Sequence, residues 1–192
     1  LLAATATKVA VYLFVRYVYS VFGASLVWID LPLTPILLAL SIAAIFGAAT
    51  VAVFQSNLKR MFAYSSVAQI GYITLGLSLT TVLGVTGGLV HLLNHALIKG
   101  AIFMGLGAIV LRTGRVTISD VAGVGRVMPF TTAAIVLAGL SLVGIPGTAG
   151  FISKWYLIVA SIELGWWWLA ALIVLSSMIT IVYVGRFIEA AY

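Results

Sequence analysis

Gly144-Ile145-Pro146-Gly147-Thr148-Ala149-Gly150 sits in the middle of an apolar run that extends from Pro129 to about Leu164. A hydrocarbon layer of ~30 Å is crossed by ~20 apolar residues in a helix, so this run is too long for one straight span. Pro146 has no N–H to give the Leu142 carbonyl, its ring clashes with the preceding turn, and the nearby glycines stabilise no helix. The backbone is expected to unwind here. Freed carbonyls at bilayer depth are tolerated only where they face protein or a water-filled cavity, and broken helices of this kind are typical of transporter sites; a plain proline kink is the alternative.

The surrounding charges decide whether this run crosses the membrane once or twice, because cytoplasmic loops collect Lys and Arg. With one crossing, Lys59, Arg60, Arg112, Arg115, Arg126 and Arg186 share a face, and Asp30 and Glu163 lie on the other. With two crossings, Arg186 changes sides and Glu163 joins the basic loops. The single, broken crossing is preferred, with the basic face cytoplasmic and Trp166, Trp167 and Trp168 at the opposite interface.

Outward from the break, the same ruler divides the chain into roughly six spans. The first runs from about Ala3 to Phe22, followed by a loop with Gly23, Asp30, Pro32 and Pro35. The others run from about Ile36 to Phe54, Met61 to Leu79, Gly84 to Leu111, the broken segment, and Trp166 to Ile188, with Arg112 to Met128 as the longest polar stretch. A composition of 64% hydrophobic and 7% charged residues excludes a soluble domain. There is no cysteine, which excludes thiolate metal sites and iron–sulfur ligation. The net charge of +6 is spread between apolar runs, so membrane orientation is a better use for it than nucleic acid. Residues 1–192 are expected to form a single transmembrane domain and, with Leu1 at the start and Tyr192 close behind an apolar run, to be an internal piece of a longer transporter domain.

Lys8, Lys99 and Lys154 lie within these apolar stretches. A lysine at the centre of a bilayer helix costs about 2.5–3.5 kcal/mol on insertion scales, so several in one chain call for a function. On a helix, His91, His95 and Lys99 drift by only ~40° per step and rise ~6 Å between neighbours, forming a ladder of titratable groups along one face. Imidazole passes a proton from one ring nitrogen to the other, and water between the rungs would complete a relay. The bland alternative is that the histidines hydrogen-bond a neighbouring helix. A metal or haem site is not expected, since these are the only histidines and no acid lies near them in sequence. Lys59 and Arg60 read first as positive-inside anchors, and Arg16 as a side chain that snorkels to an interface. Gly84 with Gly88, and Ala101 with Gly105, have the spacing of close helix contacts. Ser65, Ser66 and Gln69 are free either to bond between helices or to wet a channel.

These residues resemble a known family, the membrane subunits shared by complex I and the Mrp-type cation/proton antiporters, with related hydrogenase subunits. The run from Gln55 to Tyr72, with Leu58-Lys59-Arg60, Ala63-Tyr64-Ser65-Ser66 and Gln69-Ile70-Gly71-Tyr72, is similar to one family signature. His91 through Phe103, with Asn94-His95-Ala96 and Lys99, is similar to a second. Gly144-Ile145-Pro146 through Gly150-Phe151-Ile152-Ser153-Lys154 is similar to a third, and Thr7-Lys8-Val9 through Arg16 to the lysine-bearing helix before them. The wording is nearest to the D-type member of the Mrp antiporters.

The resemblance implies an all-α polytopic membrane protein, part of a fold of inverted helical repeats. It implies proton translocation within a multisubunit Na+/K+–proton antiporter, or alternatively within a complex I-like quinone oxidoreductase or hydrogenase; a non-transporting scaffold is the third possibility. It places Lys8 and Lys99 in a mid-membrane relay with His91 and His95 beside it, Lys154 toward the outer exit and Lys59 at the cytoplasmic side. Pro146, Gly147 and Gly150 mark the helix break. The implied setting is the bacterial inner membrane, with other membrane subunits, protons, Na+ or K+ and lipid as partners, and with no cofactor. The family's glutamate and lysine pair on earlier helices is absent, so half of the implied path is expected to lie outside this stretch. Gly147 stands where many members have a second proline. Two ammonium groups ~10 Å apart at an effective dielectric of ~20 repel by about 1.7 kcal/mol, so charging one lysine would push its neighbour toward releasing a proton.

Overall fold

A computed structural model describes residues 2–23, 33–114 and 116–192; Asp30, Pro32 and Arg115 of the sequence reading lie outside them. The described residues are almost entirely helical. Helix α1 spans Leu2–Arg16 and runs on through a π-helical turn, Tyr17–Val21. Helices α2 (Leu33–Val53) and α3 (Leu58–Ser78) form an antiparallel pair, and α4 (Val82–Thr113) follows after a tight turn. A short 3-10 turn, Ser119–Val121, and α5 (Val124–Val127) lead into α6 (Pro129–Val143), α7 (Ala149–Glu163) and α8 (Trp167–Ala191).

The helix ends follow from local chemistry. Asn57 caps α3 by accepting the Arg60 N–H at 3.1 Å, and Thr81 caps α4 by accepting the Gly84 N–H at 3.0 Å. Pro129 occupies the first turn of α6, where its missing N–H costs nothing. Pro35, expected in the preceding loop, lies in the first turn of α2 for the same reason. At 32 residues, α4 is about 48 Å long, more than the hydrocarbon thickness. Helices α2, α4 and α8 are each long and apolar enough to cross a membrane alone. Helices α6 and α7 have 15 residues each and reach across only as two halves of one path.

The single broken crossing is the observed topology. The α2–α3 loop pairs with the stretch after α4: Leu58 N–H donates to Val116 O at 2.9 Å and Ile118 N–H to Ser56 O at 2.9 Å, around an antiparallel bridge between Asn57 and Thr117. Near the end of α8, the Arg186 guanidinium donates to the carbonyls of Val53 and Gln55. The Gly123 N–H donates to Ala190 O at 3.0 Å. Lys59, Arg60, Arg112, Arg126 and Arg186 therefore share one end of the bundle, and Glu163 lies at the other.

Helix α4 is the hub, packed by α1, α3, α6 and α7. Toward the basic end the core contains Phe62, Ile102, Ile135, Tyr183 and Phe187. Toward the other end it contains Ile45, Tyr72, Leu157, Leu169 and Ile173. The glycines expected at close contacts are found there. A Cβ on Gly76 would stand 2.6 Å from Gly84 O and 2.9 Å from the Gly88 Cα, so α3 and α4 meet backbone to backbone. A Cβ on Gly105 would stand 2.6 Å from the Ile135 side chain, which sets the approach of α4 to α6.

Candidate functional site

The break begins earlier than the proline. Gly144 adopts φ +88° and closes α6 in a Schellman motif, its N–H donating to Ser141 O at 3.1 Å and the Ile145 N–H to Leu140 O at 3.3 Å. Pro146 comes two residues later, in the position where a helix has already stopped. The motif satisfies the carbonyls of residues 140 and 141 and leaves those of Leu142 and Val143 without an intrahelical donor. Lys154 takes both. Its Nζ donates to Leu142 O at 3.2 Å, Val143 O at 2.9 Å and Ser177 Oγ at 2.9 Å, which uses all three ammonium hydrogens. It also lies 4.7 Å from the centroid of the Tyr72 ring.

Gly150 brings the second half-helix in. The position its Cβ would occupy lies 1.7 Å from Ser141 O, and its N–H donates to Ser141 Oγ at 3.1 Å. Only glycine allows α7 to start there. Gly147 has φ +89° and open space around it. A second proline, with φ held near −65°, would not fit that backbone.

The ladder on α4 forms as its spacing requires. His91 and His95 stack with ring centroids 6.3 Å apart and planes at 16°. His91 is held at both nitrogens, Nδ1 by Ser153 Oγ at 2.8 Å and Nε2 by Gln69 Oε1 at 2.9 Å. For His91, bonding to a neighbouring helix is thus part of the geometry. His95 is fully buried, and neither of its ring nitrogens has a hydrogen-bond partner among the described residues. Lys99 is fully buried as well; it donates to Phe62 O at 2.7 Å and to Ser65 Oγ, with the rings of Phe62 and Phe103 5.4 and 5.9 Å from its nitrogen. A free ammonium in hydrocarbon is costly, and these acceptors and aromatic faces offset part of that cost.

Lys8 is 6% exposed on α1, which packs against α4. Lys154 and His91 both stand against Tyr72, whose ring centroid is 4.7 Å from the Lys154 nitrogen and 5.4 Å from the His91 ring. Lys99, His95 and His91 thus follow one another along α4, Lys154 lies beyond them across the Tyr72 ring, and Lys8 is buried on the neighbouring α1. Lys59 is exposed in the first turn of α3 and stands apart from this series. Three participants, Tyr72, Ser153 and Ser177, carry no specific role in the sequence reading. Ser153 lies next to Lys154 and one turn past Gly150, and its signals are that adjacency and its place in the third motif.

The class of protein is thereby defined: an all-helical, multi-pass membrane subunit with cationic side chains buried between its helices. More narrowly, the chain belongs to the NADH:quinone oxidoreductase/Mrp antiporter transmembrane family, whose signature matches residues 1–180. NADH-quinone oxidoreductase subunit N of Desulforudis audaxviator is 44% identical over 194 residues, covering 100% of this chain and 38% of that protein. Among solved structures, a chain of the Mrp complex from Dietzia sp. superposes with a TM-score of 0.88 at 30% identity, over 96% of this chain and 34% of that one. A chain of an archaeal membrane-bound sulfane sulfur reductase gives 0.87 at 34% identity, over 98% and 38%. This chain thus spans under two fifths of the length of these relatives. The sequence wording points toward the D-type antiporter member; the subunit N name of the 44% identical relative favours the redox-complex alternative.

Proposed function

We propose that this chain forms part of a proton-translocating subunit, resembling subunit N, of a redox-driven membrane complex of the complex I type. The observation that carries this reading is the buried series Lys8, Lys99, His95, His91 and Lys154, running from α1 across the hub helix to the broken helix. In the proposed mechanism a proton taken up at one lysine raises the cost of charge on the next, so charge moves along the series in steps. The imidazoles bridge the two lysine ends. Lys154, tied to the carbonyls of the break, serves as the exit group, and any rearrangement of the break alters its three bonds.

Other membrane subunits are the proposed partners, and the bacterial inner membrane the proposed setting. Lys59, exposed at the basic face, is proposed to act as an orientation anchor and an entry-side charge rather than a member of the series. The test is Lys99→Ala in the complete complex, reconstituted into vesicles, with proton uptake and quinone reduction followed together. Proton movement is expected to be lost while the complex still assembles. Undiminished proton flux per electron in an assembled Lys99→Ala complex would overturn the reading.

A second reading has its own support in the 0.88 TM-score against the Mrp complex chain: a cation/proton antiporter subunit. The two readings share the series and differ in what drives it. Proton movement elicited in vesicles by a Na+ or K+ gradient, with no electron donor present, would favour the antiporter.

A further inference from the structure

Five buried side-chain atoms among the described residues have no hydrogen-bond partner: Gln69 Nε2, both ring nitrogens of His95, Thr132 Oγ1 and Tyr183 OH. All of them except Thr132 Oγ1 fall in one place. Helices α3 and α4 are antiparallel, with His91 bonded to Gln69 at one level and Lys99 bonded to Ser65 at another. His95 lies midway between His91 and Lys99, so it faces the gap between Ser65 and Gln69, which are one turn apart. Tyr183 approaches the same gap from α8: the Tyr72 hydroxyl and Ser176 Oγ are 2.6 Å apart, and Tyr183 lies two turns beyond Ser176 toward the basic end, as Ser65 lies two turns from Tyr72 in that direction; its hydroxyl is buried without a hydrogen-bond partner among the described residues.

Nothing in the sequence marks this tyrosine, which reads as one more aromatic in an apolar helix. Its ring belongs to the core with Phe62 and Phe187. Its hydroxyl is the part that core packing does not explain, since a buried unpaired polar group is destabilising and phenylalanine would pack as well.

We propose that Tyr183 is a positioning residue of the proton series, holding together with Gln69 a buried water molecule that serves His95. The inference rests on the proton-path reading above. One water pairs three of these four atoms: its oxygen accepts from Gln69 Nε2–H and from the Tyr183 hydroxyl, and one of its hydrogens goes to the unprotonated nitrogen of His95, whose N–H is left for a further partner. Such a water gives His95, the one rung of the α4 ladder held by no described protein group, a fixed tautomer and a proton partner. It also links His95 to the Gln69–His91 level, across a stacking distance too long for the two imidazoles to bond directly.

The experiment compares Tyr183→Phe, His95→Gln, the double variant and Lys99→Ala in the complete complex in vesicles, measuring proton flux per electron. Tyr183→Phe removes one oxygen and keeps the ring, and quinone reduction together with the size of the purified complex checks that it assembles. Flux is expected to fall roughly three- to tenfold, the range of one lost hydrogen bond. In the His95→Gln background the same change is expected to have no further effect, because the water then has no imidazole to serve. An infrared O–H band that shifts in isotope-labelled water and vanishes in Tyr183→Phe is the expected spectroscopic sign. Parental flux in Tyr183→Phe alongside lost flux in Lys99→Ala overturns this inference and leaves the proposed function standing. A loss in Tyr183→Phe that is undiminished in the His95→Gln background overturns it equally, while parental flux in Lys99→Ala removes the reading beneath it.

Discussion

Replacing Lys154 with methionine takes a buried charge out of the membrane, and a simple view of burial expects the protein to gain stability. The geometry of the break argues the opposite for this segment. Lys154 donates two charge-assisted bonds to the carbonyls of Leu142 and Val143, which the end of α6 leaves without partners. Bonds of that kind contribute about 1.5–3 kcal/mol each, so the pair holds the break closed by about 3–6 kcal/mol. The desolvation of the ammonium does not offset this, because the lysine stays within the protein whether the break is locally open or closed. In Lys154→Met the two carbonyls lose their donor and local opening becomes easier by the same amount. The assay is amide hydrogen exchange by mass spectrometry on the assembled complex, read at Gly144 and Ile145, whose N–H groups close the end of α6, and at Gly150, whose N–H is bonded across the break. With tenfold per ~1.4 kcal/mol, exchange there is expected to be on the order of a hundredfold faster or more. Lys59→Met, at an exposed position, is the control and is expected to leave those amides unchanged. Exchange in Lys154→Met within a factor of two or so of the parent would refute the reasoning, since ~0.4 kcal/mol is far below even one such bond.

Two further substitutions test the close approaches. Gly150→Ala puts a methyl where Ser141 O lies 1.7 Å away, so α6 and α7 must separate by more than 1 Å; loss of at least about 3 kcal/mol is expected, seen as poor assembly or a much lower inactivation temperature. Gly76→Ala meets the backbone of Gly84 and Gly88 and is expected to cost about 1–3 kcal/mol, whereas Gly100→Ala, with nothing within 4 Å of the new Cβ, is expected to gain about 0.5–1 kcal/mol in the same thermal measurement.

The spans, the broken crossing and the row on α4 are legible in the sequence because each rests on a local or periodic rule. Apolar length fixes the number of passes to within the ends of helices, and the asymmetry of Arg and Lys chooses between one crossing and two. The i, i+4, i+8 spacing of His91, His95 and Lys99 places them on one face before any neighbour is known. What escapes depends on the third dimension. Sequence points to Pro146 as the breaker, yet Gly144 ends the helix first, because a left-handed glycine closes a helix wherever the following residue packs well. The partners of Lys154 lie 11 and 12 residues back along a reversed path and cannot be counted from spacing. The π-helical turn at Tyr17–Val21 and the antiparallel bridge between Asn57 and Thr117 also leave no periodic trace. Tyr183 is the sharpest case: one tyrosine in an apolar helix looks the same whether its hydroxyl meets lipid, water or protein.

The glycine seam between α3 and α4 has a bearing on how the molecule tolerates change. Where two helices touch through side chains, a thicker membrane, a warmer one or a neighbour's movement is absorbed by rotamers that shift and gaps that open. Gly76, Gly84 and Gly88 leave no such cushion, since the contact is main chain on main chain. Ser65 and Gln69 on one helix and His91, His95 and Lys99 on the other are therefore carried as a single rigid body. Motion that alters the distances along the proposed series must come from α1, α7 or α8 sliding against that body, so Lys8, Lys154 and Tyr183 can shift while the spacing of the α3 and α4 groups stays a fixed scale.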